Sequence, residues 1–532
     1  MIPPFIDRPA WLKGRGYLHI TPKIDILKRY KEVFIKMHDE AFVARHGFFP
    51  LIHSIIKERK YKKLPYDKSI RAHSYLHKGK YETSSKLRPL HYSTHMDAMI
   101  FGYYADILLT LYEQELEKID GLSQCITAYR KILIEEGEDE DETGKSTMHF
   151  AHEAFEEIKK RSNDSCIVLM FDIKSFFSEL NHEKLKQAWC KLLRVERLSD
   201  AHFNVFKAAT DFRYILRDDL RKTQKTNGRR SGFDEERLAK IRKTTGTEAF
   251  FESVVDFRNA IKNKKLRVYK HPFVKNKIPV GIPQGLPISA VLANLYLLEF
   301  DNEILDKVVN NMGAFYRRYS DDILIVCSLD QASEIEKIVK SAIEGRDLII
   351  SDAKTEKYLF KNFQVSPNKN RITSILLSEN SSFIGKPLTY LGFEFYGDKT
   401  LIKSANLAKF YRRLIYSVKR KSLRAVKVSN GMPLVIFRRQ LIKRYSAIDL
   451  DKKRKDADKQ KKSTVRIKSL VKNTNGSYSY KIEEKRRKFN SNYFSYVNKA
   501  VEIMRQPEIE KQLRNHKRIL NQAIFRHLRI RK

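Results

Sequence analysis

The most informative stretch of this chain is Tyr319-Ser320-Asp321-Asp322, preceded by Phe315-Tyr316-Arg317-Arg318 and followed by Ile323-Leu324-Ile325-Val326. Two strand-like segments joined by a short polar turn predict a β-hairpin. Both acids of the turn would then point toward one spot, where their charges repel each other unless a cation lies between them. A divalent metal ion commonly fills that place. An isolated Asp-Asp pair is more often ordinary turn chemistry, so the interpretation depends on the upstream sequence.

Two upstream segments complete the pattern. The apolar run Cys166–Phe171 predicts a buried strand with Asp172 at its end, and two adjacent aromatic residues follow shortly after. The second segment, Gly281-Ile282-Pro283-Gln284-Gly285, is a turn rich in Gly and Pro that opens an apolar helix over residues 290–301. The order of strand, helix, helix, hairpin, helix and strand predicts an α+β arrangement on an antiparallel sheet.

At these residues the chain resembles reverse transcriptases. Asp172 fits their motif A, residues 281–294 fit motif B, and residues 319–322 fit motif C. Residues 354–356 and 388–393 resemble motifs D and E, so the resemblance covers about residues 80 to 400. It implies an α+β right-hand polymerase fold, with fingers and a palm of antiparallel sheet and helices, followed by a basic α-helical thumb and C-terminal module.

The resemblance also implies a division of the chain into regions. These are an N-terminal extension (1–80), fingers (81–165), a palm (166–400) with a helical fingers insertion at about 195–275, and the thumb with its C-terminal extension (401–532).

The implied enzyme is an RNA-directed DNA polymerase, which adds dNTPs by in-line phosphoryl transfer with two metal ions. Asp172 and Asp321 would bridge both ions, and Asp322 would hold or orient the same cluster. The backbone carbonyl of Ile173 is a further candidate ligand. Mg²⁺ is the expected ion, with Mn²⁺ as a substitute. Lys354 would neutralise or protonate the departing pyrophosphate, although a solvated lysine is the alternative.

Several residues are candidates for binding the incoming nucleotide. Phe176 would lie under the sugar and exclude a 2′-hydroxyl, with Phe177 as its rival; core packing is the alternative for both. Gln284 would touch the nucleotide and template, or merely stabilise its own turn. Basic side chains suited to the triphosphate are Lys86, Arg88 and Arg130.

Composition indicates a polyanionic partner. The chain has 532 residues, 42% of them hydrophobic, with a net charge of +40. That combination is typical of a folded protein that binds nucleic acid. The resemblance to reverse transcriptases implies an RNA template and a cDNA product. Basic runs in the C-terminal part are candidates for phosphate contacts: Lys452, Lys453, Arg454, Lys455, Lys485, Arg486, Arg487 and Lys488.

The sequence predicts a cytoplasmic protein without a membrane partner. No apolar run approaches the roughly 18 residues that span a bilayer, and residues 1–7 lack the layout of a signal peptide. The four cysteines are scattered, without a Cys-x-x-Cys pair, which favours buried thiols over zinc ligands or disulfides.

Within reverse transcriptases, the chain is similar to the prokaryotic group II intron and retron lineage, but it carries Ser320 where those groups usually have Ala. Residues 14–19 and 126–131 resemble bacterial anti-phage, abortive-infection-like enzymes. This implies cDNA synthesis on a partner noncoding RNA during defence, with a homo- or hetero-oligomer left open. The alternatives are a retron- or intron-type enzyme, an untemplated or protein-primed DNA polymerase, and an RNA-binding scaffold that does not need its acids.

Overall fold

The structure is a computed structural model. It describes residues 9–59, 62–64, 70–72, 74–77, 80–83, 85–134, 144–221, 232–367, 369–378, 381–428, 436, 438–446, 462–488 and 492–529.

Helices occur along the whole described chain and are numbered in chain order. They are α1 (Ile26–His38), α2 (Glu40–Arg45), α3 (His95–Glu117), α4 (Leu122–Cys125), α5 (Thr147–Arg161), α6 (Phe176–Glu179), α7 (His182–Leu193), α8 (Asp200–Thr210), α9 (Glu235–Thr245), α10 (Val254–Lys262), α11 (Ser289–Tyr296), α12 (Leu298–Ile304), α13 (Ala332–Glu344), α14 (Ser404–Val428), α15 (Arg438–Tyr445), α16 (Tyr493–Met504), α17 (Glu508–Lys511) and α18 (His516–Arg529). Short 3-10 turns cover Arg217–Leu220 and Asp352–Lys354, and a π-helical turn covers Leu305–Asn310.

The strands are numbered in the same way. They are β1 (Leu51–Arg59), β2 (Lys62–Lys63), β3 (Arg71–Ala72), β4 (Ser74–His77), β5 (Lys80–Thr83), β6 (Ser85–Tyr92), β7 (Cys166–Asp172), β8 (Arg213–Leu216), β9 (Tyr269–Lys270), β10 (Val274–Lys275), β11 (Ile278–Pro279), β12 (Phe315–Tyr319), β13 (Asp322–Cys327), β14 (Glu356–Ser366), β15 (Lys369–Ser378), β16 (Ser381–Ile384), β17 (Leu388–Tyr390), β18 (Phe393–Phe395), β19 (Thr400–Ile402), β20 (Lys462–Lys472) and β21 (Tyr478–Lys488).

A six-stranded sheet in the order β12-β13-β7-β14-β15-β16 forms the centre of the molecule, and all its neighbouring strands are antiparallel. We call it the central sheet. Alternate residues of β7 and β13 belong to two different cores: Leu169 and Ile323 face one, whereas Val168 and Leu324 face the other. Because both faces are covered, these strands are continuous apolar runs instead of alternating ones.

The two cores hold different parts of the chain against the central sheet. The first core packs α3, α7, α8, α11 and α12 on one face, with Trp189 and Phe300 among its buried side chains. The second packs α5 and the C-terminal helices on the other face, where the Phe155 and Phe395 rings stack 4.5 Å apart. The C-terminal helices are therefore anchored directly beneath the strands that carry the acids.

A second, four-stranded sheet lies toward the amino terminus, in the order β6-β1-β8-β9. We call it the N-terminal sheet. The mixed apolar and charged spacing of residues 21–60 suggests helix, but only α1 and α2 form there and residues 51–59 are strand β1. The helix prediction is wrong for this segment because β1 pairs with β6 and β8, and Ile52 packs in a small core with Ile215 and Phe250. Long-range pairing outweighs local spacing here.

The described C-terminal part is mainly helical, as expected, but it also contains a pair of strands that the sequence did not predict. Strands β20 and β21 form a long hairpin, from the pair Lys462↔Lys488 to the pair Lys472↔Tyr478. We call it the C-terminal hairpin. Near its tip, the Tyr480 hydroxyl donates a hydrogen bond to Glu248, and the Arg242 guanidinium lies 5.3 Å from the Tyr480 ring centroid. The hairpin thus contacts α9 and the loop that follows it.

None of the helices in the described ranges is both long enough and apolar enough to cross a membrane.

Candidate active site

Three aspartates lie together where the paired strands β7 and β13 meet at one end of the central sheet, and we call this place the aspartate site. Strands β7 and β13 pair with Asp322 directly opposite Asp172. Direct partners in an antiparallel pair have Cα atoms roughly 4.5–5.5 Å apart. Asp321 is one residue earlier, and its backbone carbonyl accepts a hydrogen bond of 3.1 Å from the Ile173 amide. Residues 149 positions apart in sequence are therefore neighbours because of the strand register.

The hairpin turn that presents two of the acids is short. Tyr319 pairs with Asp322, so only Ser320 and Asp321 connect β12 to β13. Ser320 has a φ of +62°, a left-handed conformation that is uncommon for a residue other than Gly. Its hydroxyl accepts a 3.3 Å hydrogen bond from the Tyr129 hydroxyl, and its carbonyl accepts one of 3.2 Å from Arg318. These contacts hold the strained turn in place.

A buried ion pair between Arg318 and Asp301 stabilises the turn at Ser320 and Asp321. Arg318 and Asp301 have no exposed side-chain surface and lie 2.6 Å apart. Asp301 also accepts a 2.6 Å hydrogen bond from the Tyr316 hydroxyl, and Arg318 donates to the side-chain oxygen of Asn294 at 3.2 Å. Although burial disfavours the charge, Asp301 raises the pKa of Arg318 above its ordinary value. This network joins α11 and α12 to the turn.

The aspartate site concentrates negative charge. Burial, together with the charges of Asp321 and Asp172, raises the pKa of Asp322 to about 6. Lys354 and Lys403 act in the opposite direction on the same carboxyl group. Among these cations, Lys354 donates a hydrogen bond to the Oδ2 of Asp172.

Local backbone pairing explains why Lys354 reaches the acids. The Ser351 amide donates to the carbonyl of Asp172 at 2.8 Å, and Ile350 forms a bridge with Ile173. A single 3-10 turn, Asp352–Lys354, then precedes β14, which is the other neighbour of β7 in the sheet. The Lys354 side chain is about half exposed, at 52%, so its ammonium group remains accessible.

The turn at residues 281–285 lies against the segment that follows Asp172. Gly281 has a φ of +77°, and a Cβ atom there would lie 2.4 Å from the carbonyl oxygen of Ser178. The Ile282 amide donates a 2.7 Å hydrogen bond to the carbonyl of Phe177, and the Gln284 carbonyl accepts one of 2.8 Å from the His91 amide. The Gln284 side chain is partly exposed. The turn therefore joins β6, α6 and α11.

The two adjacent phenylalanines, Phe176 and Phe177, differ in how far their rings are exposed. Phe176 is only 3% exposed and packs within the first core. Phe177 is partly exposed, and its ring lies 5.5 Å from that of Phe176. Core packing, the alternative considered for both rings, therefore describes the surroundings of Phe176, and burial favours Phe177 as the ring nearer the sugar.

The three basic candidates for the triphosphate have different environments. Lys86 and Arg88 lie exposed on β6, where Arg88 is 3.6 Å from Glu58. Arg130 has a side chain only 3% exposed, and its guanidinium binds Glu113 at 2.8 Å and donates to the carbonyl of Ser123 at 2.6 Å. With these protein partners, Arg130 is corrected to a structural residue that fixes the loop before Tyr129.

Of the basic runs predicted to contact phosphates, Lys452, Lys453, Arg454 and Lys455 lie outside the described residues. Lys485, Arg486, Arg487 and Lys488 lie at the end of β21.

The residues present have the donor chemistry for hard divalent cations, which prefer carboxylate oxygens. Burial, followed by the charges of Asp321 and Asp172, raises the pKa of Asp322, and Lys354 supplies a positive charge to Asp172. In the described ranges, no three His, Cys, Asp or Glu side chains are arranged as a ready ligand set. Charge and donor type therefore fit a metal, while one Asp172 oxygen is engaged by the Lys354 ammonium group.

Sequence reasoning did not identify Arg318, Asp301 or Asn294 as supports of the site. An arginine between apolar strand residues and an acid at the end of an apolar helix are available signals, because buried charges are usually paired.

The fold combines helices with an antiparallel central sheet, and two neighbouring strands of this sheet carry the aspartate site. Residues 231–395 match the family described as "Reverse transcriptase (RNA-dependent DNA polymerase)". The matched segment contains Gln284, Asp321, Asp322 and Lys354, and it begins after Asp172. This part of the chain, 165 of 532 residues, is therefore similar to the reverse transcriptase family.

No curated protein matches the chain significantly. Among solved structures it is similar to apo telomerase from Candida tropicalis truncated from its C-terminal domain, with 11% identity, a TM-score of 0.32, and coverage of 66% of this chain and 57% of that one. It is also similar to telomerase from Candida albicans in complex with a fragment of telomeric RNA, with 8% identity, a TM-score of 0.35, and coverage of 74% and 53%. The chain spans a little over half the length of these structures.

Proposed function

We propose that this chain adds deoxynucleotides to a primer strand at the aspartate site, with Asp172, Asp321 and Asp322 as its metal-binding acids. The observation that carries the proposal is the register of β7 and β13, with Asp322 directly opposite Asp172. Two bound Mg²⁺ ions would supply charge stabilisation for the attacking and leaving oxygens of the phosphoryl transfer. The backbone carbonyl of Ile173, which follows Asp172, is a further candidate ligand.

The environment of Asp322 supports an enzyme over a catalytically dispensable scaffold. Burying a carboxylate beside two others is unfavourable, as the raised pKa of Asp322 shows. A protein that only bound RNA would gain nothing from this arrangement. A polymerase gains a site in which cations are held tightly.

Lys354 is proposed to act on the nucleotide phosphates. Its ammonium group contacts Asp172 but is still half exposed, so it can exchange that partner for a phosphate. There it would neutralise the pyrophosphate or donate a proton to its bridging oxygen. Lys86 and Arg88 on β6, and Gln284 in the turn at residues 281–285, are also proposed to contact the nucleotide. The hydrogen bond from the His91 amide to the Gln284 carbonyl holds this turn against β6.

The direct test is primer extension with dNTPs and Mg²⁺ on an RNA template. We expect the double variant Asp321→Asn, Asp322→Asn to lose extension, whereas Asp164→Asn, an exposed aspartate in a loop, keeps it. Full activity of the double variant would overturn the assignment. Product that stays attached to the protein, or that forms without template, would instead indicate a protein-primed or untemplated polymerase.

We further propose that the template is a partner noncoding RNA and that the reaction serves anti-phage defence. The support is the resemblance of residues 14–19 and 126–131 to defence enzymes. Sequencing the nucleic acid that copurifies with the chain tests the template, and plaque counts with the double variant test the role. One bound RNA with its complementary DNA is the expected result; random host fragments and unchanged plaque counts would contradict it.

A further inference from the structure

A large cavity lies in the C-terminal part of the molecule, between α14, α15 and the start of α16. Its volume is about 1450 Å³, above the roughly 300–1,000 Å³ typical of small-molecule pockets. Among the described residues, its walls carry seven Lys or Arg side chains and no Asp or Glu. We call it the C-terminal groove. Its size and charge suit an extended polyanion.

The cations form a row along one face of α14. Lys409, Arg413, Arg420 and Arg424 recur at intervals of four and seven residues, which places them on one side of the helix. From the first to the last, the row spans about 22 Å. In the described part of the chain, Arg413, Arg420 and Arg424 form no ion pair. Their charges are therefore available to a ligand.

Aromatic rings line the same groove. The Phe410 and Tyr493 rings stack with centroids 4.5 Å apart, and Tyr496 continues the stack at 5.6 Å. The Tyr493 hydroxyl is buried and has no hydrogen-bond partner among the described residues. On the α14 face, Tyr416 is 62% exposed. Phe410 belongs to the second core, and Tyr493 and Tyr496 pack partly against it, so Tyr416 is the ring that a ligand can reach most easily. An exposed ring among cations suits a partner that has both phosphates and flat apolar faces.

A second cavity, of about 630 Å³, continues the groove toward the N-terminal sheet. It shares Lys409, Arg413 and Tyr416 with the first and extends to Arg88 on β6. Glu58, the acid in its wall, contacts both Lys409 and Arg88. The basic surface is therefore continuous from β6 to the base of α16.

We propose that the C-terminal groove binds a single, unpaired strand of nucleic acid. The cation row would contact successive phosphates, and the exposed Tyr416 ring would stack on a base. A duplex pairs and stacks its own bases and leaves no free face for this ring, so Tyr416 favours the single strand. The inference goes beyond the polymerase reaction, because binding in this groove requires neither the aspartates nor a metal ion.

The test is equilibrium binding of labelled oligonucleotides to the full chain, without dNTPs or divalent ions, over a range of salt concentrations. The groove variant is Arg413→Ala, Arg420→Ala, Arg424→Ala. The matched control, Lys419→Ala, Lys517→Ala, Arg518→Ala, removes the same charge from exposed positions outside the groove. Oligo(rU), oligo(dT) and a blunt duplex are compared.

For single strands, each lost phosphate contact reduces the slope of log affinity against log salt by about 0.7, so the groove variant should lose about 2. At 0.1 M salt this corresponds to roughly a 100-fold weaker affinity. Tyr416→Ala should weaken single-strand binding by about five-fold or more, whereas Tyr416→Phe keeps the ring and should bind normally.

Equal losses in the groove variant and the control would overturn the proposal, as would an unchanged salt slope. A loss as large for the duplex as for single strands would refute the single-strand assignment. The rU and dT arms show whether RNA or DNA is the ligand. Should the triple variant fail to fold, Arg420→Ala against Lys419→Ala carries the same comparison. Because no nucleotide addition is measured, a negative result here leaves the assignment of the aspartate site intact.

Discussion

Replacing Asp322 with Asn should stabilise the metal-free protein at neutral pH. Burial beside Asp321 and Asp172 raises the pKa of Asp322 from 3.8 to about 6. A carboxyl group whose folded pKa is raised favours the folded state only while it is protonated. Its contribution to the free energy of unfolding therefore falls as the pH rises from about 4 to about 6, and then stays constant.

The magnitude follows from the size of the shift. A difference of about two pKa units, at 1.36 kcal/mol for each unit, corresponds to about 3 kcal/mol. The Asn variant retains the size of the side chain and one acceptor oxygen, replaces the other oxygen with an amide donor, and carries no charge. We therefore expect it to be more stable than the wild type by about 3 kcal/mol at pH 7.5, and by little at pH 4.

The assay is chemical unfolding in EDTA at several pH values, with Asp164→Asn as the control. Asp164 is exposed, and surface substitutions of this kind usually change stability by less than about 0.5 kcal/mol. Mg²⁺ should reverse the ranking, because a ligand that binds only the folded state stabilises it, and the Asn variant binds the ion less tightly. A wild type as stable as the variant at pH 7.5 in EDTA, or a gap that does not change with pH, would refute the reasoning.

Three further predictions follow from the contacts of single side chains. Arg130→Met should lower the free energy of unfolding by about 2 kcal/mol, because it removes charged hydrogen bonds from a buried guanidinium; denaturant titration measures this. Phe177→Ala should increase ribonucleotide incorporation in primer extension, whereas Phe176→Ala should instead destabilise the fold by about 3–5 kcal/mol, and the reverse pattern would exchange their roles. Tyr480→Ala should speed amide exchange in residues 235–248, since it removes the ring and the hydroxyl that contact Arg242 and Glu248; Tyr480→Phe should do so less.

The sequence predicts the parts of the site that depend on local pattern. The apolar run before Asp172 predicts the strand Cys166–Asp172, and the flanks of Ser320 predict the hairpin of β12 and β13. Residues 182–193 also have a pattern that predicts a helix, and the structure has a helix with these bounds, His182–Leu193. In each case the pattern is set by neighbours in the chain, through burial period, turn residues and capping.

The errors involve features that depend on distant residues. In the sequence, Arg130 has the chemistry of a phosphate-binding side chain. In the structure, its guanidinium is paired with Glu113, which lies 17 positions earlier. Phe176 and Phe177 are identical in type, and only the packing around α6 decides which ring is exposed. The C-terminal hairpin is rich in Lys and Arg, which suggests a solvated helix, although its tip docks on α9. Composition carries no information on such contacts.

The buried ion pair of Arg318 and Asp301 shows how distant residues determine the aspartate site. A shift of one residue between β7 and β13 would move Asp322 away from Asp172 and turn every side chain of the strand to the opposite face. The apolar cores on both sides of the central sheet accept either face of these uniformly apolar strands, so they specify the register weakly. On the adjoining strand β12, Arg318 can reach Asp301 and the Ser320 carbonyl in one register only. Because an unpaired buried charge costs several kcal/mol, the polar network selects the hairpin geometry that brings the acids together.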